Sequence, residues 1–259
     1  MHKPGLKITL LGTGSSHGVP VNGCSCPVCL SEDWQDKRLR CAVFVQYEDL
    51  SILIDAGPDI RQQLLRAKVS KIDALLISHE HNDHVIGLDD LRPYNYISRR
   101  PLNLYCTDRV ALALRQRFDY IFGPSPYGGA LKAEIHVCRF DRPLNIEGHV
   151  IVPIEVSHGD IPVHGFRFGD FTYITDAKSI SPAEIEKMEG TAYLVINALH
   201  YVGHISHFNV DEALEIIEQV KPRKAWLTHI SHFMGRAEEV NKKLPHNVEL
   251  AYDGLEINC

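Results

Sequence analysis

The segment 78–84, which reads SHEHNDH, constrains this chain more than any other stretch. It places four potential metal ligands, His79, His81, Asp83 and His84, in one short run. The apolar stretch IDALLI precedes it, so the run sits at the C-terminal end of a buried strand, in a turn that enters a helix. From such a turn the four side chains can converge on two adjacent cations. Imidazole and carboxylate suit zinc, manganese or iron. One histidine alone would read as an ordinary surface residue; this spacing after an apolar strand does not.

The rest of the chain agrees with metal chemistry on a small substrate. Its 259 residues are read as one domain, 1–259, long enough to bury a sizeable core. The formal net charge is −6 and no basic run is longer than two residues, Arg99-Arg100 among them, which counts against a nucleic-acid partner. No apolar run reaches the length of a membrane helix, and residues 1–11 lack a signal-peptide pattern, so no membrane partner and a cytoplasmic location are expected. In a reducing compartment the cluster Cys24, Cys26 and Cys29 points to metal before disulfide. A homodimer stays open.

Apolar and β-branched runs predict strands over 7–11, 42–46, 51–55, 74–78, 102–106, 149–157, 171–175, 193–197 and 225–228. Helical periodicity covers 59–68, 108–121, 182–188 and 211–220. Ser181-Pro182 reads as a cap followed by proline in the first turn, and Asn209 or Asp211 could cap the last of these helices. Residues 123–129 (GPSPYGG) read as a mobile surface loop. Strands and helices alternate, yet neighbouring strands also pair as hairpins, so a mixed-sheet α/β sandwich fits better than a purely parallel sheet. The glycine turn from Gly12 to Gly18 lacks the Gly-Lys-Ser/Thr ending of a phosphate loop and reads as backbone crossing close to the site.

The H-x-H-x-D-H pattern resembles that of the metallo-β-lactamase superfamily. The resemblance implies a four-layer αβ/βα sandwich of two mixed sheets, with further ligands at strand ends downstream. His158 ends VIVPIEVSH, Asp176 ends FTYITD and His229 ends KAWLTH. By this likeness one metal takes His79, His81 and His158, a second takes Asp83, His84 and His229, and Asp176 bridges them. A water between two such ions would be a hydroxide near neutral pH. Asp55, at the end of SILID, would support a ligating histidine from behind; a turn cap before Pro58 is the plainer reading.

Three thiolates in GCSCPVC can wrap one zinc, and a structural zinc wants four ligands. Cys41 is one candidate for the fourth. LGTGSSHGVPVNGCSCPVC, SHEHNDHVIGLDDLR, ITDA, SHFNVDEAL and LTHISH together are similar to the PhnP-like phosphodiesterases of the carbon–phosphorus lyase pathway. That likeness spans nearly the whole chain and implies His232, not Cys41, as the fourth zinc ligand. It also implies His207 as the acid that protonates the leaving group, with His200 nearby; with Asp83 these are the catalytic candidates. Arg92 matches the Leu-Arg after the metal motif and is read as a phosphate contact or a surface arginine. His17 and His204 receive no role.

The function expected is hydrolysis of a small phosphodiester, cyclic ones included, by a dinuclear-metal hydroxide, with manganese or zinc in the catalytic pair and one structural zinc. A tRNA 3′-processing nuclease is the first rival, opposed by the acidic balance and the cysteine cluster. A β-lactamase or thioester hydrolase is the second, opposed by Asp176 in the bridging place, where a cysteine is common in β-lactamases. A non-catalytic relative, like the pyrroloquinoline-quinone biosynthesis proteins with a similar cysteine cluster, is the third.

Overall fold

The computed structural model describes residues 5–124 and 127–259. Residues 125 and 126, inside the loop expected over 123–129, lie outside the described residues.

The first part of the chain supplies β1 (Leu6–Gly12), β2 (Ala42–Tyr47), β3 (Leu50–Ile54), β4 (Ala74–Leu76), β5 (Leu102–Cys106) and β6 (Ala133–Val137). The second supplies β7 (Leu144–Ile146), β8 (His149–His158), β9 (Ile161–Phe168), β10 (Phe171–Ile174), β11 (Ser179–Ile180), β12 (Tyr193–Asn197), β13 (Lys224–Thr228) and β14 (Val248–Leu250), and β15 (Glu256–Asn258) closes the chain. Among the described residues they form two mixed sheets, ordered β15-β1-β2-β3-β4-β5-β6 and β11-β8-β9-β10-β12-β13-β14, with β7 paired to β8. In each sheet the early strands are antiparallel and the last four run parallel.

Side-chain alternation makes the layers. Ile52 and Ile54 of β3 face the core between the sheets, where Phe166, Phe168 and Tyr173 fill the space. Leu53 of the same strand faces outward, against Ile60 and Leu64 of α1 (Ile60–Arg66). On the far side, Leu194 and Ile196 of β12 pack against Ala213, Ile216 and Ile217. Those belong to the long amphipathic helix 210–220, whose i, i+3, i+4 spacing puts them on one face. Helix, sheet, sheet, helix is the four-layer sandwich expected.

Local signals explain most boundaries. Asn209 caps helix 210–220 in a reciprocal capping box with Glu212. Ser181 caps the short helix Pro182–Glu186. The helix expected over 108–121 is broken: Asp108–Arg117 and Asp119–Phe122 are separate, because Phe118 leaves helical geometry at φ −121 and ψ 51. Among the strands the sequence did not single out, β9 carries Pro162 and Gly165, which interrupt its alternation. A Cβ at Gly165 would lie 2.5 Å from the Tyr173 carbonyl, so only glycine permits this approach of β9 to β10. No helix among the described residues is long and apolar enough to cross a membrane.

Candidate metal centre

The site forms along one edge, where the C-terminal ends of β3, β4, β8, β10 and β13 meet. His79 and His84 sit in and just beyond the loop after β4, His158 ends β8, Asp176 follows β10 and His229 follows β13. Three strand-end residues turn sharply to reach it: Asp55, Asp176 and His229 adopt left-handed φ of 62°, 53° and 55°. Non-glycine residues rarely sit there, and strained backbone of this kind gathers at functional sites. The His81–His84 turn is seated on Gly57, where an added Cβ would lie 2.0 Å from the Asp83 carbonyl oxygen. The Ala56 amide also donates to the His84 carbonyl at 2.7 Å.

The side chains converge as the sequence leads one to expect. Ligand atoms of His79, His81 and His158 lie within 4.8 Å of one another, as do those of Asp83, His84 and His229, and of His79, His84 and Asp176. His84 Nε2 is 3.2 Å from Asp176 Oδ2 and 3.3 Å from Asp83 Oδ2; His229 Nε2 is 3.1 Å from Asp176 Oδ1. Yet His79, His84 and His229 all carry a buried Nε2 with no hydrogen-bond partner. Buried polar atoms are normally paired. Lone pairs aimed at shared points rather than at each other are what cations would complete.

The opposite ring nitrogens of His84, His79 and His158 are held, whereas His229 Nδ1 is buried without a partner. His84 Nδ1 is 2.7 Å from Asp55 Oδ2, and the Ser78 amide and hydroxyl each donate to Asp55 at 2.8 Å. His79 Nδ1 is 3.0 Å from the Ser78 hydroxyl oxygen, and His158 Nδ1 donates to the Ser206 carbonyl at 2.7 Å. Such contacts fix the tautomer that leaves Nε2 free to ligate. Asp55 is therefore the carboxylate behind His84, not a turn cap. The roles of Ser78 and Ser206 were invisible in the sequence, because a hydroxyl or carbonyl acting on a histidine ring leaves no spacing signature.

Electrostatics follow from this crowding. Burial, with His84 nearby, pushes His79 well below the usual imidazole range. Burial opposes charge on His84 too, but Asp176, Asp83 and Asp55 outweigh it and hold that ring well above its usual value. Burial would raise Asp176, yet His229 and His84 hold it well below the carboxylate range. His207 stands beside the cluster, its Nδ1 3.8 Å from Asp176 Oδ1 and its ring centroid 4.7 Å from that of His229. Burial and then His229 drive it down to about 2. His200 is farther out, its ring 6.2 Å from that of His204, which in turn is 5.1 Å from His207.

A second group lies next door. His232 Nδ1 is 3.3, 3.4 and 3.5 Å from the sulfurs of Cys24, Cys26 and Cys29. A tetrahedral zinc, with Zn–S of about 2.3 Å and Zn–N of about 2.0 Å, spaces sulfur and nitrogen roughly 3.5 Å apart. The four side chains thus have the size of a zinc cage. Cys41 is elsewhere: it is buried, donates to the Gly14 carbonyl at 3.4 Å, and burial pushes its thiol up to about 12. The two groups share one turn, since His229 and His232 flank Ile230, whose amide and carbonyl pair with Thr13 and Ser15 of the glycine-rich turn. That turn does cross close to the site, as read. Arg92 does not reach the cluster; it donates to the Gly129 carbonyl at 3.1 Å.

This fold and cluster define a metal-dependent hydrolase class, and comparison with known proteins agrees. The family described as "Beta-lactamase superfamily domain" matches residues 51–230, and the chain belongs to the metallo-β-lactamase superfamily. Within it the chain is PhnP-like: a solved structure described as a new diphosphatase from the PhnP family superposes with a TM-score of 0.92 at 38% identity, covering 98% of this chain and 97% of that one. An octanoyltransferase of Porphyromonas gingivalis is 38% identical over 253 residues, but the chain spans only 51% of its length. A ribonuclease Z of Methanosarcina acetivorans is 29% identical, over 59% of this chain and 45% of that protein. The zinc-bound PqqB of Methylobacterium extorquens shares the fold, with a TM-score of 0.79 at 17% identity over 98% of this chain and the whole of that one.

Proposed function

We propose that the chain, as one hydrolase domain over 1–259, hydrolyses small phosphodiesters with a pair of divalent cations, manganese or zinc. The observation that carries this reading is the set of buried, unpartnered Nε2 atoms of His79, His84 and His229 facing Asp83 and Asp176. In the proposed arrangement His79, His81 and His158 hold one cation, Asp83, His84 and His229 hold the other, and Asp176 serves both. A pair of cations lowers the pKa of a water and neutralises charge on a phosphoryl group. The chain's own residues do the rest. Asp55, Ser78 and Ser206 keep the imidazoles aimed inward. His207 gives its proton to the departing oxygen; the phosphoryl anion beside it favours the charged ring that burial otherwise opposes. Cys24, Cys26, Cys29 and His232 hold a structural zinc that fixes the turn carrying His229.

The likeness to a PhnP-family diphosphatase supports phosphoryl chemistry and favours a second substrate type, a P–O–P linkage, in the same site. Octanoyl transfer is said of a protein twice this chain's span and is not carried over. The test is a hydrolysis screen of cyclic and linear phosphodiesters and a dinucleoside diphosphate, with manganese or zinc added and metal content measured. Turnover of a phosphodiester is the expected result. Turnover of the diphosphate alone selects the second reading. Two catalytic cations bound with no turnover of any substrate would leave the non-catalytic relative standing.

A further inference from the structure

Strand β12 lies between β10 and β13 and runs parallel to both. Each neighbour leads to a proposed ligand, Asp176 or His229, whereas β12 ends at Asn197 and carries none of them. Asn197 is fully buried. Its Oδ1 accepts from the Ala177 amide at 2.8 Å, and its Nδ2 donates to the Ala177 carbonyl at 2.9 Å. One side chain thus pairs with both polar groups of the residue that follows Asp176.

The turn at Asp176 creates the need for it. β10 and β12 pair as far as Ile174 and Ile196, and the chain then leaves the ladder at Asp176, whose φ is 53°. Ala177, fully buried just beyond, lies outside the ladder. Buried backbone N–H and C=O groups have to be paired. A carboxamide offers an acceptor and a donor side by side, as a peptide does, so Asn197 extends the ladder with its side chain where the backbone no longer can.

The Ala177 carbonyl accepts a second hydrogen bond, from the Phe208 amide at 2.7 Å, and the Leu199 amide donates to the Phe208 carbonyl at 2.9 Å. Ala177 is therefore joined covalently to Asp176 and, through Phe208, to His207. The Nδ1 of His207 stands 3.8 Å from Asp176 Oδ1. The chain neighbours of both groups meet at one peptide, and Asn197 grips it.

We propose that Asn197 is a positioning residue, which fixes Asp176 relative to His207 through the Ala177 peptide. This rests on the reading of Asp176 as the bridging ligand and His207 as the acid, and adds what sets the distance between them. Asp55 acts on imidazole rings; Asn197 acts on backbone.

Asn197→Leu removes both hydrogen bonds at similar volume. In the variant, manganese titrated into the full chain should bind roughly 10- to 100-fold more weakly, with the zinc of the cysteine group unchanged. The ratio of kcat/KM for an alkyl diester over a nitrophenyl diester should fall by up to about 100-fold, the cost of displacing a reacting group by about 1 Å, because only the alkyl leaving group needs the acid. A side chain that served packing alone would lower the melting temperature and leave that ratio where it was. A folded variant with manganese affinity within twofold of the parent, or with an unmoved ratio, overturns the proposal. Asn197→Ser, a milder change that keeps a hydroxyl, is read in the same way if Asn197→Leu does not fold. In the unaltered protein, the side-chain NH2 of Asn197 should exchange with solvent far more slowly than that of the exposed Asn145, and equal rates overturn the pairing itself. A parent that binds manganese yet turns over neither diester defeats the phosphodiesterase reading instead. The proposal is then decided by manganese affinity and by the NMR signals of the His207 ring in the metal-free protein, which Asn197→Leu should shift; unmoved signals overturn it.

Discussion

Replacing Asp55 with asparagine should weaken both catalytic cations at once, although Asp55 would touch neither. Asp55 is fully buried, and its carboxylate can only accept. It accepts from the Ser78 amide at 2.8 Å, from the Ser78 hydroxyl at 2.8 Å and from His84 Nδ1 at 2.7 Å. Because the Ser78 hydroxyl gives its proton to Asp55, its oxygen is left to accept from His79 Nδ1, 3.0 Å away. One acceptor-only group thus sets the tautomer of two histidines. An amide has the same shape, and asparagine tolerates the left-handed φ of 62° found here. Its NH2, however, would donate toward His84 and Ser78, and Ser78 would then donate toward His79. Both rings would be driven to carry their proton on Nε2, where the lone pair is needed. Losing such a supporting contact typically costs 10- to 100-fold in metal affinity, or about 1.4–2.7 kcal/mol per cation. The assay is competition with a chelating dye for each class of cation, alongside the zinc content of the cysteine group. Asp55→Asn should weaken the two exchangeable cations and spare the zinc. Affinities within twofold of the parent, or loss on the His84 side alone, would refute the relay.

Three further outcomes follow from the same geometry. His229→Ala should lose one catalytic cation and keep the cysteine-bound zinc, whereas His232→Ala should lose that zinc and lower the melting temperature; elemental analysis and calorimetry separate them, and full zinc in His232→Ala would mean the three thiolates suffice. His207→Ala should slow cyclic and alkyl diesters on the order of 10²–10⁴-fold more than a nitrophenyl diester, whose leaving group needs no proton; equal losses would make His207 a positioning residue. His164 is buried and neutral, its pKa pushed down to about 4 by burial, with Lys187 adding and Glu184 opposing. The unfolded chain takes up that proton at about 6.5, so stability should fall by about 2 kcal/mol from this residue between pH 7.5 and 5. Urea unfolding of His164→Phe should show a shallower pH slope by that amount, and an unchanged slope would show His164 is not the group responsible.

Chemistry was more legible in the sequence than shape. His79, His81, Asp83 and His84 announce themselves because no packing demand asks for four potential ligands in such a run. His158, Asp176 and His229 were placed by the superfamily resemblance, which expects ligands at strand ends; alone, each would read as an ordinary loop residue. Cys41 against His232 could not be decided from spacing, since the cysteine group is completed by a residue distant in the chain, whose ring nitrogen lies 3.3 Å from the Cys24 sulfur. The break at Phe118 was hidden because helix periodicity continues across it. Least visible of all was the bracing behind the glycine-rich turn. Asp253 accepts from the Thr13 amide and hydroxyl at 2.9 Å, and the buried Arg38 donates to that same hydroxyl at 2.9 Å. Aspartate and arginine far apart in an average composition carry no mark of a buried partnership.

The sheet orders give a reason why the centre lies where it does. Each sheet repeats one scheme: an added edge strand, a three-strand antiparallel meander, then three strands parallel to the meander's last. In that scheme β3 and β10 are equivalent, both the last strand of the meander and the first of the parallel set. Just beyond them stand Asp55, one residue after β3, and Asp176, two residues after β10, both left-handed in φ and both facing the histidine cluster. Parallel strands leave their C-terminal ends at one edge, and ligands in open α/β sheets gather there. Two such sheets packed face to face bring two of these edges together. Equivalent positions have taken different tasks: Asp55 lies 2.7 Å from the far nitrogen of His84, and Asp176 3.2 Å from its near one. His84 is therefore gripped from both halves of the molecule, and any motion of one sheet past the other must disturb its ring. That predicts maximal local protection from hydrogen exchange at the His84 and Ser78 amides once cations are bound, and exchange there no slower than in the apo protein would mean the two halves are not clamped through this ring.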